Sequence, residues 1–95
     1  PLTMTNTEET VETYTLDPLT LCEELRKETA RLKISVIRVA KATGATRQTV
    51  YNWFVGSPVA PYYRSRVADV IEILKGAQTA EQAWRKACSR FNIKN

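Results

Sequence analysis

Histidine is absent from this 95-residue chain, which removes at once the commonest general base and the usual nitrogen ligand of zinc. Cysteine is scarce. Cys22 and Cys88 stand far apart and in no C-x-x-C arrangement, so they exclude a disulfide framework and fit a reduced, cytoplasmic compartment as small buried hydrophobes. No apolar run is long enough to span a membrane, and the polar, acidic N-terminus lacks the apolar segment of a secretory signal. A chain of this length buries one modest core but not a core and an enclosed substrate cleft as well. No catalysis, no cofactor, no metal and no small-molecule ligand are therefore expected.

Acid is missing from the middle of the chain. No aspartate or glutamate lies between Glu28 and Asp69, an interval holding Arg31, Lys33, Arg38, Lys41, Arg47, Arg64 and Arg66. The net charge of +4 understates this unevenness. Glu8, Glu9, Glu12 and Asp17 are the only charged residues before position 18, which leaves fourteen bases against six acids in the remainder. A one-signed block is the footprint expected for a polyanion; a basic face serving solubility alone normally intersperses acids.

Residues 1–16 are rich in Thr and Glu, with few large apolar side chains, and read as a disordered acidic tail. Met4 reads as the native start, with three added residues before it. Residues 17–95 read as the folded domain. Asp17-Pro18 supplies an N-cap and first helical position, and Leu21, Leu25 and Leu32 carry the apolar stripe of a first helix to about Arg31. Ser35 caps a short second helix holding Val36, Val39 and Ala40, and Gly44 ends it. Thr46 caps a third, through Val50 and Trp53 to about Val55, before Gly56-Ser57-Pro58 breaks it. Pro61 opens a fourth, with Val67, Val70, Ile71 and Leu74 on one face until Gly76. Thr79 with Gln82 resembles a capping box for a fifth, with Ala83, Trp84, Ala87, Cys88 and Phe91 on one side. The fold expected is all-α, a bundle of about five helices.

Gly44 has a mechanical reason. Two short helices meeting at a wide angle need a residue that adopts φ > 0 where the first ends, and a small residue where they cross, which Ala40 provides. Val36, Val39, Val50 and Trp53 would close the seam. This is a helix-turn-helix, whose second helix can enter a DNA major groove. A β-branched residue at Gly44 is expected to break the turn.

Residues 34 to 56, ISVIRVAKATGATRQTVYNWFVG, resemble the helix-turn-helix of the phage repressor and Cro family. Ser35, Ala40, Gly44, Thr46, Val50, Trp53 and Gly56 carry the resemblance, which extends more weakly to Leu25-Arg26 and to the stripe from Val67 to Leu74. Before the turn glycine, where that pattern usually has a large apolar residue, this chain has Thr43. The resemblance implies a compact helical DNA-binding domain, usually a dimer on a near-palindromic operator.

At about 100° per residue, Val50, Trp53 and Phe54 fall on one side of the third helix and Gln48, Tyr51, Asn52 and Val55 on the other, with Arg47 at the flank. Base contacts are expected from Arg47, Gln48, Tyr51 and Asn52. Gln and Asn pair bidentately with adenine, Arg with guanine, and Tyr51 reaches a thymine methyl or a phosphate. Phosphate contacts are expected from Ser35 and Thr46 at helix starts and from Arg38, Lys41, Arg64 and Arg66 around the groove. Trp53 reads as core, and Trp84 either as core against the first helix or as a dimer seam. The apolar set Phe54, Val55, Val59, Tyr62 and Tyr63 is a second candidate for a dimer surface. The expectation is a cytoplasmic, homodimeric, sequence-specific transcriptional regulator on double-stranded operator DNA. Its rivals are a DNA-recognition adaptor such as a small terminase or replication subunit, and a protein-interaction module.

Overall fold

The computed structural model describes residues 17–94. The acidic tail read over residues 1–16 lies outside them. The described residues form five helices and no strand: α1 (Pro18–Leu32), α2 (Val36–Thr43), α3 (Arg47–Phe54), α4 (Pro61–Lys75) and α5 (Ala80–Phe91). None is long and apolar enough to cross a membrane.

Local chemistry sets the helix starts. Asp17, Ser35, Thr46 and Thr79 each turn a side-chain oxygen onto the backbone N–H of Thr20, Arg38, Thr49 and Gln82 respectively, a cap worth about 1 kcal/mol. α4 begins instead at Pro61, with no side-chain cap; proline has no N–H to leave unsatisfied there. The expected capping box of α5 is shifted by one residue, because the Gln82 carboxamide oxygen accepts from Gln78 N–H at 2.8 Å and not from that of Thr79.

The helix ends are less predictable. Gly44 and Gly56 take positive φ as their residue type allows, but so do Lys33 (φ 59°) and Asn92 (φ 56°). At Lys33 the Ile34 N–H reaches back to the Thr29 carbonyl at 3.0 Å, closing α1 in the left-handed style usually given to glycine. Gly76, by contrast, ends α4 in a right-handed conformation.

α1 packs most extensively against α4; α3 is held by α1 and α2, and α5 lies on α4 and α2. Leu21, Leu25, Val50, Trp53, Val67, Val70 and Leu74 form the core between them. Val59 was expected at an apolar surface, yet it is fully buried, its N–H donating to the Pro18 carbonyl at 3.2 Å. The loop after α3 is thereby fastened to the start of α1. Trp84 is buried as well, but among Ile34, Arg38, Val39, Ala42, Val70 and Ile73 of α2, α4 and the loop before α2. At 4% exposed it belongs to the core of the protomer.

Arginines knit this packing together. Arg31 of α1 donates through one terminal nitrogen to the Leu74 and Ala77 carbonyls at 2.8 and 3.1 Å, while its Nε meets Glu28 at 2.8 Å. The Leu74 carbonyl in the last turn of α4, which also accepts from the Ala77 N–H at 3.1 Å, and the Ala77 carbonyl just beyond the helix thus receive a charged donor. A hydrogen bond from a charged group contributes about 1.5–3 kcal/mol, and Arg31 is partly exposed. Arg31→Met is therefore expected to lower unfolding free energy by about 1.5 kcal/mol in urea titration, with Arg31→Lys restoring only part, since an ammonium lacks the fork that spans three acceptors.

A second link between α1 and α4 is Lys75 Nζ to Glu24 Oε1, 2.7 Å. The lysine's hydrogen bond holds the Glu24 carboxyl below the ordinary carboxylate range, and Glu24 raises Lys75 in return. The carboxylate's contribution is present above that range and lost as pH falls through its lowered pKa. The lysine's is present below its ordinary pKa and lost as pH rises through the raised one. Solvent screens this half-exposed pair, so the effect is a few tenths of a kcal/mol. Glu24→Gln is expected to reduce stability at neutral pH and leave it unchanged once pH falls below the carboxylate range, as measured by denaturation across pH.

Candidate nucleic-acid interface

Three residues, Gly44-Ala45-Thr46, join α2 to α3. Gly44 stands at φ 77°, ψ 16°, and both its N–H and that of Ala45 return to the Ala40 carbonyl, at 2.8 and 3.0 Å. Ala40 is buried, as the close crossing of the two helices requires. Thr43 is buried too, and its hydroxyl donates to the Val39 carbonyl at 2.8 Å and lies 3.3 Å from that of Ala40. The hydroxyl is satisfied within its own helix, so threonine fills an apolar position without an unpaired donor.

α3 divides cleanly into two faces. Val50 is 0% and Trp53 3% exposed, with Phe54 packed at the core's edge. Arg47, Gln48, Tyr51, Asn52 and Val55 are exposed. All four residues expected to contact bases therefore share the open side of one helix. Gln48 Nε2 donates to Asn52 Oδ1 at 3.1 Å, an i,i+4 contact that leaves the remaining amide donors and the Gln48 carbonyl facing outward. Trp53 meets Tyr63 edge-on at 5.4 Å, and Tyr63 meets Tyr62 at 4.9 Å. This aromatic chain ends at the surface in Tyr62, 86% exposed; Val55, which follows α3, is 82% exposed.

The residues expected to hold phosphate fall into two groups. Ser35, Thr46 and Lys41 are exposed; the two hydroxyls serve as caps, and the Lys41 side chain, like those of Lys33 and Arg47, has no hydrogen bond or ion pair among the described residues. The three arginines are engaged. Arg64 Nε donates to the Val59 carbonyl at 3.1 Å. Arg66 Nε donates to the Ala42 carbonyl at 2.9 Å, and its guanidinium lies 4.0 Å from the Phe91 ring centroid. Arg38 pairs with Glu81 at 3.5 Å over the face of Trp84. A carbonyl is neutral, so Arg64 and Arg66 fix the fold without cancelling their charge on their acceptors; of the three, only Arg38 stands in an ion pair. Glu81 was not among the residues singled out from sequence, and nothing around it signals a partner 43 residues away.

No family model, curated protein or solved structure matches this chain.

Elsewhere, a groove of about 360 Å³ between α1 and α4 is lined by Thr20, Leu21, Glu24, Ala68, Ile71, Glu72 and Lys75, none of them from α2 or α3. Its Glu24–Lys75 pair is closed on itself. The described residues hold no group of three or more metal-ligating side chains.

The space around Gly44 refines the expectation for its replacement. Nothing lies within 4 Å of where a Cβ would stand, so the penalty is backbone strain alone, about 1–2 kcal/mol for a residue held in the left-handed region. Gly44→Asn should cost least and Gly44→Val most, because a β-branched residue tolerates that region worst. Chemical denaturation of the three proteins gives the order. Complete unfolding by Gly44→Asn would mean that the turn does not have this conformation.

Proposed function

We propose that the protein is a sequence-specific DNA-binding transcriptional regulator in which α2, the turn and α3 act as a helix-turn-helix and α3 enters the major groove. One observation carries the reading: Val50 and Trp53 anchor α3 so completely that Arg47, Gln48, Tyr51 and Asn52 project from its first two turns, where such a helix meets base edges. Their chemistry suits the task. Carboxamides match the N6 and N7 of adenine, and a guanidinium matches the O6 and N7 of guanine. The acid-free stretch from Thr29 to Ala68 covers both helices and supplies the sequence-independent attraction, with Lys41, Arg64 and Arg66 as positive charges flanking the groove and Ser35 and Thr46 at helix starts.

Shift assays on a site selected from random DNA test this reading. Gln48→Ala or Asn52→Ala should cost about 1–3 kcal/mol on the selected site and little on random DNA. Lys41→Ala should weaken both alike and shallow the salt slope by about one unit. A selected site that neither carboxamide replacement affects would remove α3 from the groove.

A single such domain reads a short site, and the exposed apolar side chains of Val55, just after α3, and Tyr62, in the first turn of α4, are proposed to make one apolar patch. The regulator is proposed to act as a C2 dimer through that patch, placing two α3 helices about 34 Å apart on a near-palindromic site. On α5, Trp84 and Ala87 are buried within the protomer while Cys88 and Phe91 are partly exposed, so the end of that stripe is the second candidate for the interface. Val55→Glu is expected to abolish the dimer in light scattering and the dyad in a footprint. A symmetric footprint from the Val55→Glu protein would place the interface elsewhere.

A further inference from the structure

Arg38 differs from the other cations of the proposed DNA face because an acid from α5 reaches across to neutralise it. Both of its terminal nitrogens lie 3.5 Å from Glu81 Oε1. Its guanidinium carbon stands 5.1 Å from the ring centroid of Trp84, which is buried and so presents a fixed face. The other Glu81 oxygen is 3.9 Å from Arg85 Nε. The carboxylate thus rests between two guanidinium groups, one of them backed by an aromatic plane.

The two halves of this cluster differ in firmness. A charge-assisted bond to carboxylate is normally about 2.7–2.9 Å; at 3.5 Å, with the Arg38 and Glu81 side chains 33% and 55% exposed, this one is loose and open to water. The stacking on Trp84 holds the guanidinium in place whichever anion lies at its fork. A carboxylate and a phosphate diester both offer two oxygens to that fork. Release of Glu81 does not strand it, since Arg85 is already at its second oxygen.

We propose that Arg38, held on Trp84, is a phosphate-diester site that Glu81 occupies in the free protein, so that α5 carries an internal competitor of DNA. This inference rests on the DNA-binding reading above. It assigns Glu81 and Trp84 roles that the α2–α3 unit alone does not contain: Trp84 positions the guanidinium, and Glu81 must leave before the phosphate enters. α5 therefore lowers affinity for all sequences equally, because the displaced group faces backbone and not base edges.

The test is a cycle of four proteins, wild type, Glu81→Gln, Arg38→Ala and the double variant, titrated with a random-sequence 16-bp duplex at several salt concentrations. Circular dichroism checks that helix content is equal. Glu81→Gln is expected to bind about two- to five-fold more tightly than wild type, the range of an exposed ion pair, with the salt slope unchanged because the same phosphates are neutralised in the complex. Arg38→Ala should shallow the slope by about one unit, and in its presence Glu81→Gln should confer no gain. A gain that persists without Arg38 reflects only the loss of one negative charge and overturns the proposal, as does a Glu81→Gln protein that binds no more tightly than wild type. Absence of DNA binding by all four proteins would instead defeat the DNA-binding reading, and this inference with it.

Discussion

An eight-residue helix does not hold itself together in water, because nucleation costs more than so few hydrogen bonds return. α3 is such a helix, and the burial of Val50 and Trp53 is what keeps it formed. Everything proposed for the outer face depends on that anchorage. With one side of the helix fixed in the core, Arg47, Gln48, Tyr51 and Asn52 have one direction left in which to point. The cap from Thr46 and the left-handed Gly44 set where the helix begins, and the edge contact of Trp53 with Tyr63 ties it to α4. The loop that follows is secured by Val59 against the start of α1.

Guanidinium groups do much of the joining between helices. Arg31, Arg64 and Arg66 each bind main-chain carbonyls at helix ends or loops, where acceptors are less fully used than in a helix interior. At Arg31, which meets three acceptors, lysine could not do the same work, having no planar fork. Because carbonyls carry no net charge, this use does not weaken the basic character of the acid-free stretch. It makes the same side chains serve architecture and electrostatics together. Of the acids in the described residues, Asp17 caps α1, Glu23, Glu24 and Glu28 lie on it, and Asp69 and Glu72 lie on α4, so α2 and α3 carry positive charge alone. Glu81 is the exception that reaches back toward α2, which is why its pairing with Arg38 stands out.

Much of the fold was legible because its determinants are local. The Asp17, Ser35, Thr46 and Thr79 caps act within three residues of themselves, and Pro61 and Gly44 act through their own dihedral limits. The two faces of α3 follow from periodicity. Lys33 was missed as a helix end because lysine does not announce a positive φ, and Asn92, which tolerates one, has no glycine or proline beside it to mark the stop; at both ends backbone N–H groups turn back onto carbonyls of the same helix. Val59 was misplaced because its neighbours Phe54, Val55 and Tyr62 gave a surface-like apolar run, while the strand of chain from Gly56 to Ala60 turns this one side chain inward.

What the sequence by itself determined is the set of helices, their starts, the glycine turn and the division of α3 into a buried and an exposed side. All of these arise from interactions a few residues apart, which any compact arrangement would preserve. What only the tertiary structure decided is the partner of each long side chain: Ala42 for Arg66 across 24 residues, Leu74 for Arg31 across 43 and Glu81 for Arg38 across 43. An arginine's charge and donors are written in the chain, but which acceptor lies within reach depends on how the helices pack, and no local pattern encodes that distance.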